Sequence, residues 1–253
     1  NISSEVYVIG SYSGMLCANG LDQKYTALPS YQGSQDVFVA KLNSSAGIIG
    51  MARISSQGNA DLGYGAATDS AGNLYVTGAY NGNGLRVSTF HVKDGDIFWN
   101  QGSFANTYAT VGGNDVFLVK YSTADQLYGA GGGGGSVEWV ARAGSTASDI
   151  GWSVAVEPGD ANVYVVGQYG AAMTVRNSGD TSVATLGYTG GTNAFLIKYG
   201  SDGSYKWSAN LSATTGAVIL NSVKCDAGGN VFVGGQYNST VSIRNRNGTV
   251  WGT

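Results

Sequence analysis

Hydrophobic and polar positions alternate over short distances along this chain, and its longest apolar runs are of strand length. The clearest pattern occurs four times: EVYVIGSYSG from Glu5, NLYVTGAYNG from Asn73, NVYVVGQYGA from Asn162 and NVFVGGQYNS from Asn230. All four fit one template, V/L-aromatic-V-x-G-x-Y, rich in β-branched and aromatic residues and apolar on both faces. That is the pattern of a strand buried between layers. The recurring Gly10, Gly78, Gly167 and Gly235 mark places where a second backbone passes close or the strand bends.

A second family reads DVFVAKL from Asp36, DVFLVKY from Asp115 and NAFLIKY from Asn193, with Phe38, Phe117 and Phe195 spaced by 79 and 78 residues. A third family precedes the first: GYGAATDSAGN from Gly63, GWSVAVEPGDAN from Gly151 and LNSVKCDAGGN from Leu220. Its alternation runs into an Asp/Gly/Asn turn, so the third and first families together predict a β-hairpin. A fourth family follows the second across a turn, as SVEWVARAG from Ser136, SYKWSANLS from Ser204 and the weaker IIGMARISS from Ile48. This pair predicts another hairpin. Between the two hairpins lies a variable insert with its own turn signal: ANGL at 18, KDGD at 93, NSGD at 177 and RNGT at 246.

The predicted unit is thus about 78 residues long, and four antiparallel strands repeated radially are the logic of a propeller blade. The pattern resembles the bacterial-type seven-bladed β-propeller repeat family, the SBBP repeats. It is carried here by GAATDSAGNLYVTG with DVFLVKY, and by SVAVEPGDANVYVVG with NAFLIKYGSDGSYKW. The resemblance implies an all-β, propeller-like array of four-stranded blades and leaves function open, because propellers host enzymes, lectins and scaffolds alike. The repeats divide the chain into 1–35 (partial), 36–114, 115–193 and 194–253 (partial), one continuous repeat domain. The chain opens and closes inside a unit, with Asn1 rather than Met in first place. These roughly three and a half units predict a segment of a longer protein, a larger ring, or an open array completed by neighbouring chains. Unpaired edges at both ends would be templates for strand addition.

The stretch GAGGGGGSVEW at 129–139 resembles a linker, yet the repeat stays in register on both sides. Lys198 and Trp207 are nine residues apart, Lys120 and Trp139 nineteen. The glycines therefore belong to an extended hairpin loop inside one blade.

Charge changes the picture by its scarcity. Only 11% of the residues are charged, against a usual value of about 25%, while 43% are hydrophobic, so the chain folds around a core behind a polar, nearly uncharged surface. A net charge of -3 without a basic stripe argues against nucleic acid, and no apolar run suits membrane insertion. The composition fits an extracellular or cell-surface protein.

Candidate chemistry is sparse, and the reading is non-enzymatic, with no catalytic residues, metal ligands or cofactors. The single histidine, His91, lies in an insert and reads as a loop residue. Asp69 and Asp226, with Glu157 at the matching place, read as turn residues whose carboxylates bond nearby N–H groups. Lys41, Lys120 and Lys198 share one repeat position and are expected to lay their stems over apolar surface, with the ammonium at the solvent edge or near Asp36 or Asp115. Trp139 and Trp207 match by repeat and read as packing residues. Trp99, Trp152 and Trp251 are less constrained and are the candidate ligand aromatics. Cys17 and Cys225 are the candidate disulfide, and Asn1, Asn43, Asn210, Asn238 and Asn247 head glycosylation sequons expected in turns or at strand ends. These features point to a secreted or cell-surface structural or adhesive module, a candidate filament subunit whose partners are copies of itself or neighbouring repeats. A carbohydrate-binding, lectin-like propeller with glycan partners is the alternative.

Overall fold

The computed structural model describes residues 6–19, 25–30, 34–93, 96–98, 104–105, 108–122, 137–159, 161–244 and 250–252. Among them every regular element is a strand. The first-family segments form β1 (Val6–Ser13), β7 (Leu74–Tyr80), β14 (Val163–Tyr169) and β20 (Val231–Tyr237). The second family forms β4 (Gln35–Leu42), β11 (Asp115–Tyr121) and β17 (Asn193–Tyr199), and the third β6 (Leu62–Thr68), β13 (Ile150–Val156) and β19 (Val218–Cys225). The fourth forms β5 (Ile48–Gly58), β12 (Val137–Gly144) and β18 (Tyr205–Ala213). The inserts supply β2 (Met15–Asn19) with β3 (Tyr25–Pro29), then β8 (Gly82–Lys93), β9 (Asp96–Phe98) and β10 (Phe104–Ala105). The later inserts give β15 (Met173–Arg176) with β16 (Ser182–Leu186), and β21 (Val241–Arg244) with β22 (Val250–Gly252).

Each full blade has the predicted strand order. In the second, β6, β7, β11 and β12 lie side by side, and in the third β13, β14, β17 and β18 do. The inserts lengthen these four-stranded blades. β15 follows β14 in the chain but pairs with β12 of the second blade, and β21 follows β20 but pairs with β18 of the third. Each insert hairpin therefore extends the outer edge of the preceding blade, giving six-stranded sheets. In the first sheet β8 pairs with β5 and carries β9 and β10. Arg142 of β12 seals one such junction by donating to both Asp180 carboxylate oxygens in the β15–β16 turn, at 2.6 and 3.1 Å.

Two compact units are present, one of residues 1–63, 80–109 and 121–138, the other of residues 64–79, 110–120 and 139–253. The larger shows why the first-family strands are apolar on both faces. Val163 and Val165 of β14 enter a core with Tyr75, Leu118, Trp139, Phe195 and Ile197, between the second and third blades. Tyr164 and Val166, on the other face, join Ala194, Val218, Leu220 and Val223 between the third blade and the β19–β20 hairpin. In the smaller unit Tyr12, Ala40 and Met51 form a cluster that packs Leu16 and Phe38.

The recurring glycines have a geometric cause. Gly10 lies opposite Phe38 and Gly167 opposite Phe195 in antiparallel register. A Cβ on Gly10 would stand 2.8 Å from the Phe38 ring, and one on Gly167 would stand 2.6 Å from the Phe195 ring and closer still to the Ile150 carbonyl. The ring fills the space the side chain vacates, beside a bulge between Gly151 and Ser153. A second glycine position governs blade stacking. A Cβ on Gly63 would stand 2.6 Å from Val37, and one on Gly151 would stand 2.9 Å from Val116 and 2.5 Å from the Thr77 hydroxyl. In the next repeat the sizes are exchanged, with Leu220 in the glycine's place and Ala194 in the valine's, both in one buried cluster. Gly151→Val is therefore expected to lower stability by about 1–3 kcal/mol through overpacking. Val116→Ala should recover part of that loss, as read by denaturant unfolding of the single and double variants.

Candidate interaction surface on the last repeat

The second-family lysines come first, because a charged residue repeated in register is an obvious ligand candidate. Cross-strand pairing sets Tyr164, Lys198 and Trp207 side by side on one face of the third blade. The Lys198 ammonium lies 5.0 Å from the centre of the Tyr164 ring and donates to Glu157 at 3.0 Å. Lys120 lies 5.7 Å from the Tyr75 ring and Lys41 5.7 Å from the Tyr7 ring. Lys120 Nζ and Trp139 Nε1 both donate to the Ser201 carbonyl, at 3.1 and 3.0 Å, bonding the second blade to a turn of the third. These lysines are not at the solvent edge as expected: Lys41 is 1% exposed and Lys120 6%. Their cations rest on aromatic faces, and those of Lys198 and Lys120 also donate to an acid and to a carbonyl. Each lysine is spent on the blade.

The acids expected at turns do close them. Asp69 Oδ1 accepts from the N–H groups of Ala71 and Asn73, and Oδ2 from the Asn73 amide and the Tyr75 hydroxyl. Asp226 repeats this with Gly228 and Asn230. Burial raises the Glu157 carboxyl, but donors from Asn162 and Lys198 and the lysine charge outweigh it and hold the acid below its usual range.

A second set of acids, Asp61 and Asp149, is fully buried at the start of the third-family strands. Asp61 accepts from the N–H and hydroxyl of Ser56 and from the N–H of Asn81; Asp149 accepts from the corresponding groups of Ser145 and from Gly170 N–H. One carboxylate thus ties the end of a fourth-family strand to the end of a first-family one. Burial pushes Asp61 up to about 7 and Asp149 to about 6, despite those donors. Asp115 rises to about 7 through burial and the like charge of Asp149. Among the described residues no group of three or more His, Cys, Asp or Glu is placed to hold a metal ion.

Several sequence-stated candidates are placed otherwise than expected. Cys17 and Cys225 are free thiols, the first exposed and the second half-buried, and they belong to different compact units. Trp152 is no open platform: its indole N–H donates to Gln168 at 3.0 Å and its ring lies 4.4 Å from that of Tyr64. Asn210 sits within β18 rather than in a turn, 8% exposed, with its amide donating to the Tyr169 hydroxyl at 3.0 Å. A glycan needs that same nitrogen. Asn43 heads a turn, its side-chain oxygen accepting from Ser45 and Gly47 N–H, and Asn238 is exposed with its oxygen on Ala217 N–H. Asn1, Trp99, Asn247 and the glycine run at 129–136 lie outside the described residues, as do the side chains of His91 and Trp251.

The surface that stands out is β20. All seven residues of β7 are buried, and so are six of β14, whereas six of the seven in β20 are exposed. Phe232 is 61% exposed, Val233 43% and Tyr237 73%. Val233 and Tyr237 border an apolar hollow of about 460 Å³, completed by Leu211, Val218, Leu220 and Ile243. A second, more polar hollow of about 350 Å³ lies against Thr185, Tyr188, Tyr205, Asn210 and Arg244. The buried Asp61 and Asp149 had a sequence signal, a Ser four or five residues upstream, which reads as ordinary loop.

Two outcomes follow for the ionisable groups. Lys198→Met is expected to cost about 1–3 kcal/mol, the scale of a charge-assisted hydrogen bond, and the loss should shrink in the Lys198→Met, Glu157→Gln double variant. Unfolded carboxyls titrate near pH 4, so the folded chain binds extra protons at Asp61, Asp115 and Asp149 between there and their raised values. Their contribution to stability is full below about pH 4 and is lost as pH rises through about 6 to 7. Glu157, Asp202 and Asp226, held low, contribute above about pH 4 and lose that contribution in stronger acid. Thermal melts should peak at about pH 4–5.5 and fall towards pH 8; Asp149→Asn should flatten that fall.

No protein-family model matches the chain. Over 217 residues it is 28% identical to a WD repeat-containing protein of Acanthamoeba polyphaga mimivirus, a match covering 82% of this chain and 15% of that protein. The chain therefore spans a small part of its much longer relative. The antiparallel four-stranded blades and this likeness are both consistent with an all-β, propeller-like repeat fold.

Proposed function

We propose that the chain is a non-catalytic structural and adhesive module of the bacterial seven-bladed repeat kind, secreted or displayed at a cell surface, and a subunit of a filament. The observation that carries this reading is β20. Among the described residues six of the seven in β20 are exposed, and each large apolar side chain that a partner buried there would contribute about 1.5–3 kcal/mol. Exposed apolar surface of this kind suits a protein partner. The likeness to a WD repeat-containing protein supports a role in binding proteins, since such repeats generally work that way. The scarcity of charge and the sequons at Asn43 and the exposed Asn238 support an extracellular setting.

A lectin reading draws on the polar hollow beside Tyr188 and Tyr205, where an aromatic ring and Arg244 offer the two halves of a sugar contact. One comparison separates the two. Beads coated with the chain are expected to cluster, clustering to be lost with Val233→Asp, and a glycan array to show no saturable binding. Beads that stay dispersed, together with saturable glycan binding lost on Tyr188→Ala, would establish the lectin instead.

A further inference from the structure

The inserts that begin with β15 and β21 join the blades before them in one register, and that register repeats a pair of polar residues. Arg142 of β12 faces Arg176 of β15, and Asn210 of β18 faces Arg244 of β21. In the second blade a carboxylate serves both arginines. Asp180 accepts from Arg142 Nε and Nη2 at 2.6 and 3.1 Å, its backbone carbonyl accepts from Arg176 Nη1 at 2.9 Å, and Arg176 Nε lies 3.9 Å from the carboxylate. In the third blade Asn210 stands for one arginine and Arg244 repeats the other, while the residue four places after Arg244 is Gly248, where Asp180 follows Arg176 by four. The polar hollow of about 350 Å³ opens at this pair.

We propose that this hollow binds a carboxylate side chain, Asp or Glu, delivered by a turn of a protein partner to Arg244 and Asn210, in the place that Asp180 fills for the blade before. This rests on the protein-binding role proposed above and supplies the chemistry of a partner. The walls are β16 and the loop after it on one side and β18 with β21 on the other, all within the larger unit. Its described lining carries one cation and no acid, which sets the sign of the ligand. A guanidinium offers five N–H donors in a planar fork, so Arg244 can keep the contacts it has and still turn two donors to a carboxylate.

The other polar groups are already held in place. The Asn210 amide donates to the Tyr169 hydroxyl at 3.0 Å, and that hydroxyl donates to the Gly187 carbonyl at 2.6 Å. The Tyr205 and Ser208 hydroxyls are 2.9 Å apart, and Tyr188, bonded to the Gly191 carbonyl at 2.8 Å, leaves its ring 41% exposed at the rim. Groups fixed in advance lose little freedom when a ligand arrives. The volume is at the low end of the about 300–1,000 Å³ usual for small-ligand sites, which suits one side chain and the backbone that carries it. A peptide is favoured over a sugar because the chain itself shows the mode: the turn 177–181 delivers Asp180 to the matching place.

The probe is a capped peptide of residues 177–181, Asn-Ser-Gly-Asp-Thr, titrated into the full chain while the Arg244 Nε–Hε resonance is followed by NMR. Saturable binding is expected, weakening as salt is raised. The same peptide with Asn in place of its Asp should bind about tenfold more weakly or worse, and so should the parent peptide to Arg244→Gln. Arg244 has other contacts, so the charge is also tested at Thr185, an exposed residue of the lining. Thr185→Asp should weaken binding and Thr185→Lys strengthen it, each by about threefold, with unchanged circular dichroism.

Equal binding of the Asp and Asn peptides, affinity unmoved by both Thr185 variants, or no binding up to about 10 mM peptide would each overturn the site. Methyl glucuronide bound at Arg244 more tightly than the peptide would overturn it too, and would give the hollow to a sugar. Chain-coated beads keep the two readings apart. If the peptide fails and the beads still cluster, the structural role stands without this site; if the peptide fails and the beads stay dispersed, both fall.

Discussion

The fold depends on enclosing the first-family strand. Its residues are apolar on both faces, so it needs a packed sheet on each side, and its backbone needs a strand along each edge. β14 has all four neighbours, and the rest of the larger unit is arranged around that requirement. The glycine opposite a phenylalanine lets the second-family strand approach, while the paired exchange of Gly with Val and Leu with Ala lets the next blade stack. Side-chain volume is matched across the blades rather than within any one of them.

Charge is used sparingly and inside. The lysines lie on aromatic rings at blade junctions, and Asp61 and Asp149 each gather three hydrogen-bond donors from separate segments. A buried carboxylate is costly, and here the return is positional: it fixes where a strand of one hairpin ends relative to the next. The surface is left with few charges, since only 11% of the residues carry one.

Much of this was legible in the sequence. The repeat was plain because every copy must solve the same packing problem, and the apolar pattern on both faces of NVYVVGQY already implied neighbours on each side. The register could be read from Gly167 and Phe195, since the one explains the other. The destination of the inserts could not. Their turns announce a hairpin, but β15 joins β12 through backbone groups that carry no sequence code. The lysines misled because a charged side chain reads as solvent-facing unless its aromatic rest is known. Asn210 misled because a sequon does not reveal which way its strand faces. The hidden Ser56 and Asp61 pair was lost among polar residues that look alike in any loop.

The insert that extends the preceding blade bears on how the protein comes to be folded. As the chain emerges, β12 has no outer neighbour until Met173 and the residues after it have been made, by which time β13 and β14 of the following blade are already present. Blades therefore cannot mature one by one. Each waits for part of its successor, so the sequential order of synthesis becomes a mechanical order of locking, and a defect in one insert weakens the blade made before it rather than its own.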